Sequence, residues 1–195
     1  MHARGMTEKG PFRAANEDRY LVRDMGRQGV MLAVADGLGG HTGGSVAAET
    51  VIQCLRDIDP DARDPQDMLH AAMDKAQSLI EAAVLERPEL EGMGTTAVCV
   101  WERGGTVHWY SIGDSRLYHA NGRGLRQIST DQTLVQFLLE EGTITPEQAI
   151  NHPHQQVLYQ CIGCPDPEPE TGSFGVNPED VLLLSSDGFH DVLSQ

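Results

Sequence analysis

The sequence predicts an α+β fold in which helices and antiparallel strands lie in layers, and three observations carry that expectation. Apolar residues recur at helical spacing over 45–55 and 66–86, short strand-like runs dominate from Gly94 onward, and those runs are joined by hairpin-type turns rather than by helical crossovers. At 195 residues the chain suits one domain with room for a substantial core.

Residues 7–18 read as an irregular entry broken by Gly10-Pro11. Strands are expected at about 19–24 and 29–35, closed into a hairpin by the turn around Gly26 and Gly29, so that Glu17-Asp18 and Asp36 fall at the same end of neighbouring strands. After the glycine cluster, Val46, Ala47, Val51, Ile52 and Leu55 form one helical face. The acidic piece Asp57 to Pro65 reads as a loop, and a longer helix follows over about 66–86, stopped by Pro88. Its methionines and leucines fit core packing. Strands at 95–101, 106–112, 116–120 and 124–128 then suggest an antiparallel meander, with turns at Gly104-Gly105 and Asn121-Gly122. Helices are expected at 134–140 and 146–150, an irregular segment with a helical turn near 155–160 over 151–170, and a last strand from Val181 into Ser186.

The formal net charge is −15, and Lys9 and Lys75 are the only lysines. Such a surface repels phosphate backbones and anionic lipid, which argues against nucleic acid or a membrane as partner. No apolar run is long enough to cross a bilayer, and Met1 to Met6 lacks the apolar stretch of a secretory signal, so the expected location is the cytoplasm. Cys54, Cys99, Cys161 and Cys164 are accordingly expected as free thiols. Cys161-Ile162-Gly163-Cys164 has the spacing of a metal knuckle or a redox pair, but the second ligand pair of a zinc site is missing. His152-Pro153-His154 reads as surface histidines in a loop.

The chemistry lies at the strand ends. The run Val30 to Ala35 stops on Asp36-Gly37-Leu38-Gly39-Gly40-His41, Val181 to Ser186 stops on Asp187-Gly188, His108 to Ile112 stops on Gly113-Asp114, and Glu17-Asp18 precedes the strand from Arg19. One Asp-Gly is ordinary turn chemistry. Several carboxylates delivered this way supply the hard oxygen ligands that Mg²⁺ or Mn²⁺ require, and two such ions sharing an Asp suit an in-line phosphoryl displacement. Arg13, four residues before Glu17, offers a fork of donors fitted to phosphate, and His41 could protonate a leaving oxygen. Taken singly, Arg13 reads as a surface charge and His41 as a loop histidine.

The segments Arg13-Ala14-Ala15-Asn16-Glu17-Asp18, Val34 through His41, Gly94-Thr95-Thr96, Gly113-Asp114-Ser115-Arg116-Leu117-Tyr118 and Ser186-Asp187-Gly188 resemble, in order and spacing, the motifs of the bacterial PP2C (PPM) metal-dependent protein serine/threonine phosphatases. The resemblance implies a four-layer α-β-β-α sandwich of two antiparallel sheets flanked by helices, with two Mn²⁺ or Mg²⁺ ions at one edge and a third in bacterial members. It implies hydrolysis of phosphoserine and phosphothreonine by a hydroxide bridging the metals. By position, Asp36 would bridge the ions, the Gly37 carbonyl would bind the first, and Asp187 the second, with Glu17 and Asp18 beside it. Asp114 would join Asp187 at the third ion, Arg13 would bind phosphate, and His41 would act as general acid. Residues of about 140–170 would form the flap over the substrate. The implied partners are phosphorylated proteins and a Ser/Thr kinase or its targets.

Two departures accompany the match. Ser129-Thr130-Asp131-Gln132 stands where many members have Asp-His, and the Asp-Asn motif that carries a further metal-binding Asp is not within the 195 residues. The expectation is therefore a single domain over 1–195 that is incomplete at its C-terminal end, holds its second ion weakly and self-associates. The alternative function is a regulatory or binding module that keeps this fold without turnover.

Overall fold

The computed structural model describes residues 2–11, 13–39 and 43–193. Strands β1 (Arg19–Asp24) and β2 (Val30–Ala35) form the expected hairpin, in which Arg19 faces Ala35. A two-residue strand β3 (Gly37–Leu38) follows Asp36 directly. Helices α1 (Gly43–Arg56) and α2 (Pro65–Glu86) come next; Asp64 caps α2, its carboxylate accepting from the backbone N–H groups of Gln66 and Asp67, and Pro65 occupies the first turn where no N–H is needed.

The strand region then opens with β4 (Gly94–Thr95), β5 (Ala97–Arg103), β6 (Thr106–Ile112), β7 (Arg116–Asn121) and β8 (Gly124–Gln127). Helices α3 (Leu134–Glu140) and α4 (Pro146–Ala149), strands β9 (Glu170–Gly175) and β10 (Val181–Ser185), and helix α5 (Asp187–Leu193) complete the order. A five-stranded antiparallel sheet runs β1-β2-β5-β6-β9, a three-stranded one runs β10-β7-β8, and β3 pairs with β4.

Alternation along β2 and β5 shows how the layers stack. Met31, Ala33, Ala35, Ala97, Cys99 and Trp101 point to one face, where they pack with Val51, Ile52, Leu55, Leu69, Met73 and Ile80 of α1 and α2. Leu32, Val34, Val98 and Val100 point to the other, where they meet Leu117, Leu182 and Leu184 of the second sheet. Both faces of the central strands are thus buried, and the strand period of two sorts their residues into two separate cores. The fourth layer is represented among the described residues by α5, which adjoins β10.

Three expectations need correction. The meander does not continue from β6 into β7, because the chain crosses from the first sheet to the second at Gly113, whose φ of 91° turns it in a way a side chain would oppose. The predicted helical turn near 155–160 is replaced by turns and an isolated bridge between Thr133 and Leu158, and β9 adds an edge strand to β6. Finally, Cys161 and Cys164 are joined as a disulfide, leaving Cys54 and Cys99 as buried thiols. The two paired cysteines meet because Ile162 pairs with Thr95 and the loop folds back on itself around Gly163, which has φ 102°.

The start of α1 lies against the stretch that carries Asp36. A Cβ on Gly44 would stand 2.7 Å from the Gly37 carbonyl carbon, and one on Gly37 would collide with the Gly44 carbonyl. Gly44→Ala is therefore expected to cost about 1–3 kcal/mol in urea unfolding, as overpacking of backbone against backbone does. Gly122→Ala is the control: nothing lies within 4 Å of its added Cβ, and its stability should be unchanged.

Candidate metal centre

Four separate segments deliver carboxylates to one end of the two sheets. Glu17 and Asp18 precede β1, Asp36 follows β2, Asp114 sits in the crossing turn between β6 and β7, and Asp187 opens α5 at the end of β10. The side chains of Asp18 and Asp36 share a hydrogen bond, and Asp187 and Asp114 act electrostatically on Asp36. Ser186 Oγ donates to Asp18 Oδ2 at 2.9 Å, so the ends of β1 and β10 are tied together across the sandwich.

The backbone around Asp36 is held from both directions. Its N–H donates to Thr96 Oγ1 at 3.1 Å, and its carbonyl accepts from the Thr96 N–H at 2.9 Å and from Thr95 Oγ1 at 2.8 Å. Thr96 Oγ1 is in turn 2.7 Å from Ser115 Oγ, next to Asp114. A chain of two hydroxyls therefore connects the Asp36 backbone with the turn that carries Asp114. Gly113 is clamped beside it: its N–H donates to Gln132 Oε1 at 2.8 Å, and its carbonyl accepts from the Gln132 N–H at 3.0 Å. Gln132 Nε2 continues to the Glu168 carbonyl at 2.8 Å. Gln132, standing where the sequence departs from Asp-His, thus fastens the Asp114 turn to the segment that leads into β9.

The charge distribution is unbalanced. Burial, followed by the charges of Asp18 and Asp187, pushes the Asp36 carboxyl up to about 9, with the Asp18 hydrogen bond and Asp114 acting in the same direction. Burial, Asp187 and Asp131 push Asp114 up to about 7. Asp131 itself is met by a fork from Arg116, with Nε 2.8 Å from Oδ1.

Partly buried carboxylates that repel one another, arriving from rigid strand ends, are the donor set a hard divalent cation fits. Among the described residues no three His, Cys, Asp or Glu side chains stand close enough together to hold a metal ion between them. Instead Asp18 and Asp36 are bridged by a hydrogen bond, a pairing that needs a proton between two carboxylates and that a cation would replace.

The predicted residues are not all gathered. Asp18, Asp36, Asp114 and Asp187 come together, and the Gly37 backbone lies alongside in β3 paired with Thr95. Glu17 is at the same strand end, with its carbonyl facing the Gly37 backbone. Arg13 is exposed, its backbone N–H bonded to the Gly10 carbonyl, and it makes no ion pair with these acids among the described residues. His41 lies outside the described residues. Thr96, Ser115, Ser186 and Gln132 escaped sequence reasoning as site-builders. The signal for Ser115 and Ser186 was a small hydroxyl residue beside an aspartate of a recognised motif.

Two antiparallel sheets between helices, with acids from both sheets at one edge, define a phosphatase fold of the PPM class. A profile of the Protein phosphatase 2C family matches residues 13–195, and the chain belongs to that family. It is 39% identical over 188 residues to the serine/threonine protein phosphatase PstP of Mycobacterium tuberculosis, a match covering 93% of this chain and 37% of that protein. Against the serine/threonine phosphatase stp of Listeria monocytogenes it is 32% identical over 203 residues, covering 100% of this chain and 80% of the other. The crystal structure of the PstP catalytic domain in complex with two manganese ions superposes with a TM-score of 0.82 at 37% identity, covering 94% of this chain and 76% of that one. The chain thus spans little more than a third of the length of its mycobacterial relative.

The raised Asp36 pKa has a stability consequence in metal-free protein. Well below its ordinary value of 3.8, Asp36 is protonated in both the folded and unfolded states; between 3.8 and about 9, the unfolded state ionises while the folded state holds its proton. Folded stability in EDTA therefore falls as pH rises through that window. Asp36→Asn removes this contribution and should raise the Tm in EDTA at about pH 8 by about 2–4 °C, equivalent to about 1 kcal/mol in a chain of this size. At about pH 2.5, below the unfolded pKa, this difference between the variant and the parent should vanish in calorimetry.

Proposed function

We propose that this chain is the catalytic core of a protein serine/threonine phosphatase that depends on Mn²⁺ or Mg²⁺. The observation that carries the reading is the meeting of Asp18, Asp36, Asp114 and Asp187 at one edge, from four segments of two sheets. The manganese-bound PstP domain supports the choice of ion. In this reading Asp36 would be shared by two ions, with the Gly37 carbonyl at the first and Asp187 at the second, Glu17 and Asp18 standing beside it, and Asp114 with Asp187 would hold a third.

Divalent ions held there acidify water to a nucleophile at neutral pH and offset charge on phosphoryl oxygens. The chain's own residues supply position and protons. Thr95 and Thr96 fix the Asp36 backbone, Ser186 aims Asp18, and Gln132 fixes the turn before Asp114. Arg13 is exposed and free to receive a phosphate from solvent, and His41 is the proposed donor to the leaving serine or threonine oxygen. The proposed substrates are phosphoproteins, the targets of a Ser/Thr kinase. The proposed location is the cytoplasm; no helix among the described residues is long and apolar enough to cross a membrane.

Phosphate release from a phosphothreonine peptide should require Mn²⁺ or Mg²⁺ and stop in EDTA, and Asp36→Asn should lower it by about 100-fold or more, because one residue serves two ions. Turnover that persists in EDTA overturns the proposal, whereas tight Mn²⁺ binding without any turnover would instead favour a non-catalytic binding module.

Arg13 and His41 should separate binding from chemistry. Arg13→Ala is expected to raise KM about tenfold by removing a charged hydrogen bond, with Mn²⁺ affinity intact. His41→Ala should lower kcat by about 100-fold on phosphopeptides and little on p-nitrophenyl phosphate, whose leaving group needs no proton. Equal losses on both substrates would take the general-acid role from His41.

A further inference from the structure

The disulfide between Cys161 and Cys164 spans three positions of sequence and so constrains the unfolded chain little. Its place in the fold is more informative. Between the two sulfurs, Ile162 is buried and exchanges two backbone hydrogen bonds with Thr95, each 2.9 Å. The Gly163 N–H donates to Gln77 Oε1 at 2.6 Å, and Gln77 Nε2 donates to the Cys164 carbonyl at 3.0 Å. Cys161 Sγ lies flush on β4, 3.0 Å from where a Cβ on Gly94 would stand. Thr95, in the same strand, donates its hydroxyl to the Asp36 carbonyl. A continuous path therefore runs from the disulfide through Ile162 and Thr95 to the backbone of the central carboxylate.

The two sulfurs also differ. Cys161 is 5% exposed, whereas Cys164 is half-buried and so the more accessible residue of the pair. Cys54 and Cys99 are the contrast, being buried, with burial pushing the Cys99 thiol up to about 12, where it stays protonated and inert.

We propose that Cys161–Cys164 is a thiol–disulfide exchange site whose co-reactant is a dithiol, and that its redox state sets how firmly β4 holds the Asp36 edge. A thiolate of the dithiol attacks Cys164 Sγ, forms a mixed disulfide and expels the Cys161 thiolate, which takes up a proton. The second thiol of the reductant then attacks its own sulfur in the mixed disulfide and expels the Cys164 thiolate, which is protonated in turn. Two electrons and two protons pass to the protein, and the reductant leaves as a cyclic disulfide. In the dithiol form the 161–164 loop is closed only by hydrogen bonds and packing, so the Ile162–Thr95 pair opens more often and the Asp36 carbonyl loses part of its support. The exchange chemistry stands apart from the phosphatase reading; only its effect on metal affinity rests on that reading.

The test uses the whole chain, native and in EDTA. Treatment with dithiothreitol followed by iodoacetamide and mass spectrometry should alkylate Cys161 and Cys164 and spare Cys54 and Cys99 until the protein is unfolded. Amide exchange at Thr95, Thr96 and Ile162 should be at least about fivefold faster in the reduced form, the low end of typical coupling between sites. Cys164→Ser, which cannot form the bond, should show the fast rates without any reductant. A pair that resists the dithiol in folded protein, or exchange rates that match between the two forms and the variant, overturns the proposal. Mn²⁺ titration should find about fivefold weaker binding by the reduced chain; equal affinity overturns the link to the Asp36 edge. Absence of Mn²⁺ binding by either form overturns the phosphatase reading and that link together, while the thiol result stands by itself.

Discussion

Mutual repulsion among carboxylates at one edge is the constraint around which this structure is arranged. Asp36 sits partly buried within the influence of Asp18, Asp187 and Asp114, and none of these is a group that folding would bring together for its own stability. The stabilising work is done elsewhere. One core lies between the five-stranded sheet and α1 with α2, and a second lies between the sheets. Both are built from the same strands that end in the acids. Burial along β2 and β5 thus holds in place an end of those strands that would otherwise fly apart, a local conflict of the kind that marks a functional site.

Holding the acids is a task for backbone and uncharged groups. Thr95, Thr96, Ser115, Ser186 and Gln132 tie the segments together with hydroxyls and one amide, none of which would compete with a cation for the carboxylates' charge. Glycine does the rest where backbone must touch backbone, at Gly37 against Gly44, and where the chain must change sheets, at Gly113. The site is therefore supported by rigid strands and their close neighbours, which is how the geometry of a multi-carboxylate centre survives its own electrostatics.

Much of this was legible in the residues because the signals are local. The hairpin before Asp36 and the helices α1 and α2 follow from apolar periodicity, and the acidic positions follow from strand runs that stop on Asp. What escaped was set by distant partners. The crossing at Gly113 looks in sequence like one more hairpin turn, and only pairing of β7 with β10 shows that it leaves the first sheet. Strand β9 contains Gly172 and Gly175, poor strand formers that are tolerated because β6 supplies the ladder. The cysteine pair was visible as a spacing, but its bonded state depends on the loop lying back against β4. Gln132 was visible only as part of a departure from Asp-His, since its role comes from Gly113 and Glu168, far from it in sequence.

The placement of arginines explains why the acids remain uncompensated. Arg19 directs its guanidinium at Glu49 and at the carbonyls of Asn16 and Asp18, which fixes the entry into β1 without neutralising the Asp18 carboxylate. Arg116 is committed to Asp131 by a two-pronged contact, so its charge is spent on that acid while Asp187 and Asp131 still act on Asp114. Arg23 turns away to the carbonyls of Leu55 and Ile58. In a chain with 29 acidic residues against 14 lysines and arginines, the nearby cations thus serve as scaffold. The carboxyl groups of Asp36, Asp114 and Asp187 are consequently left without an arginine of their own among the described residues, and under the proposed function a small divalent ion would meet them without adding bulk to the strand ends.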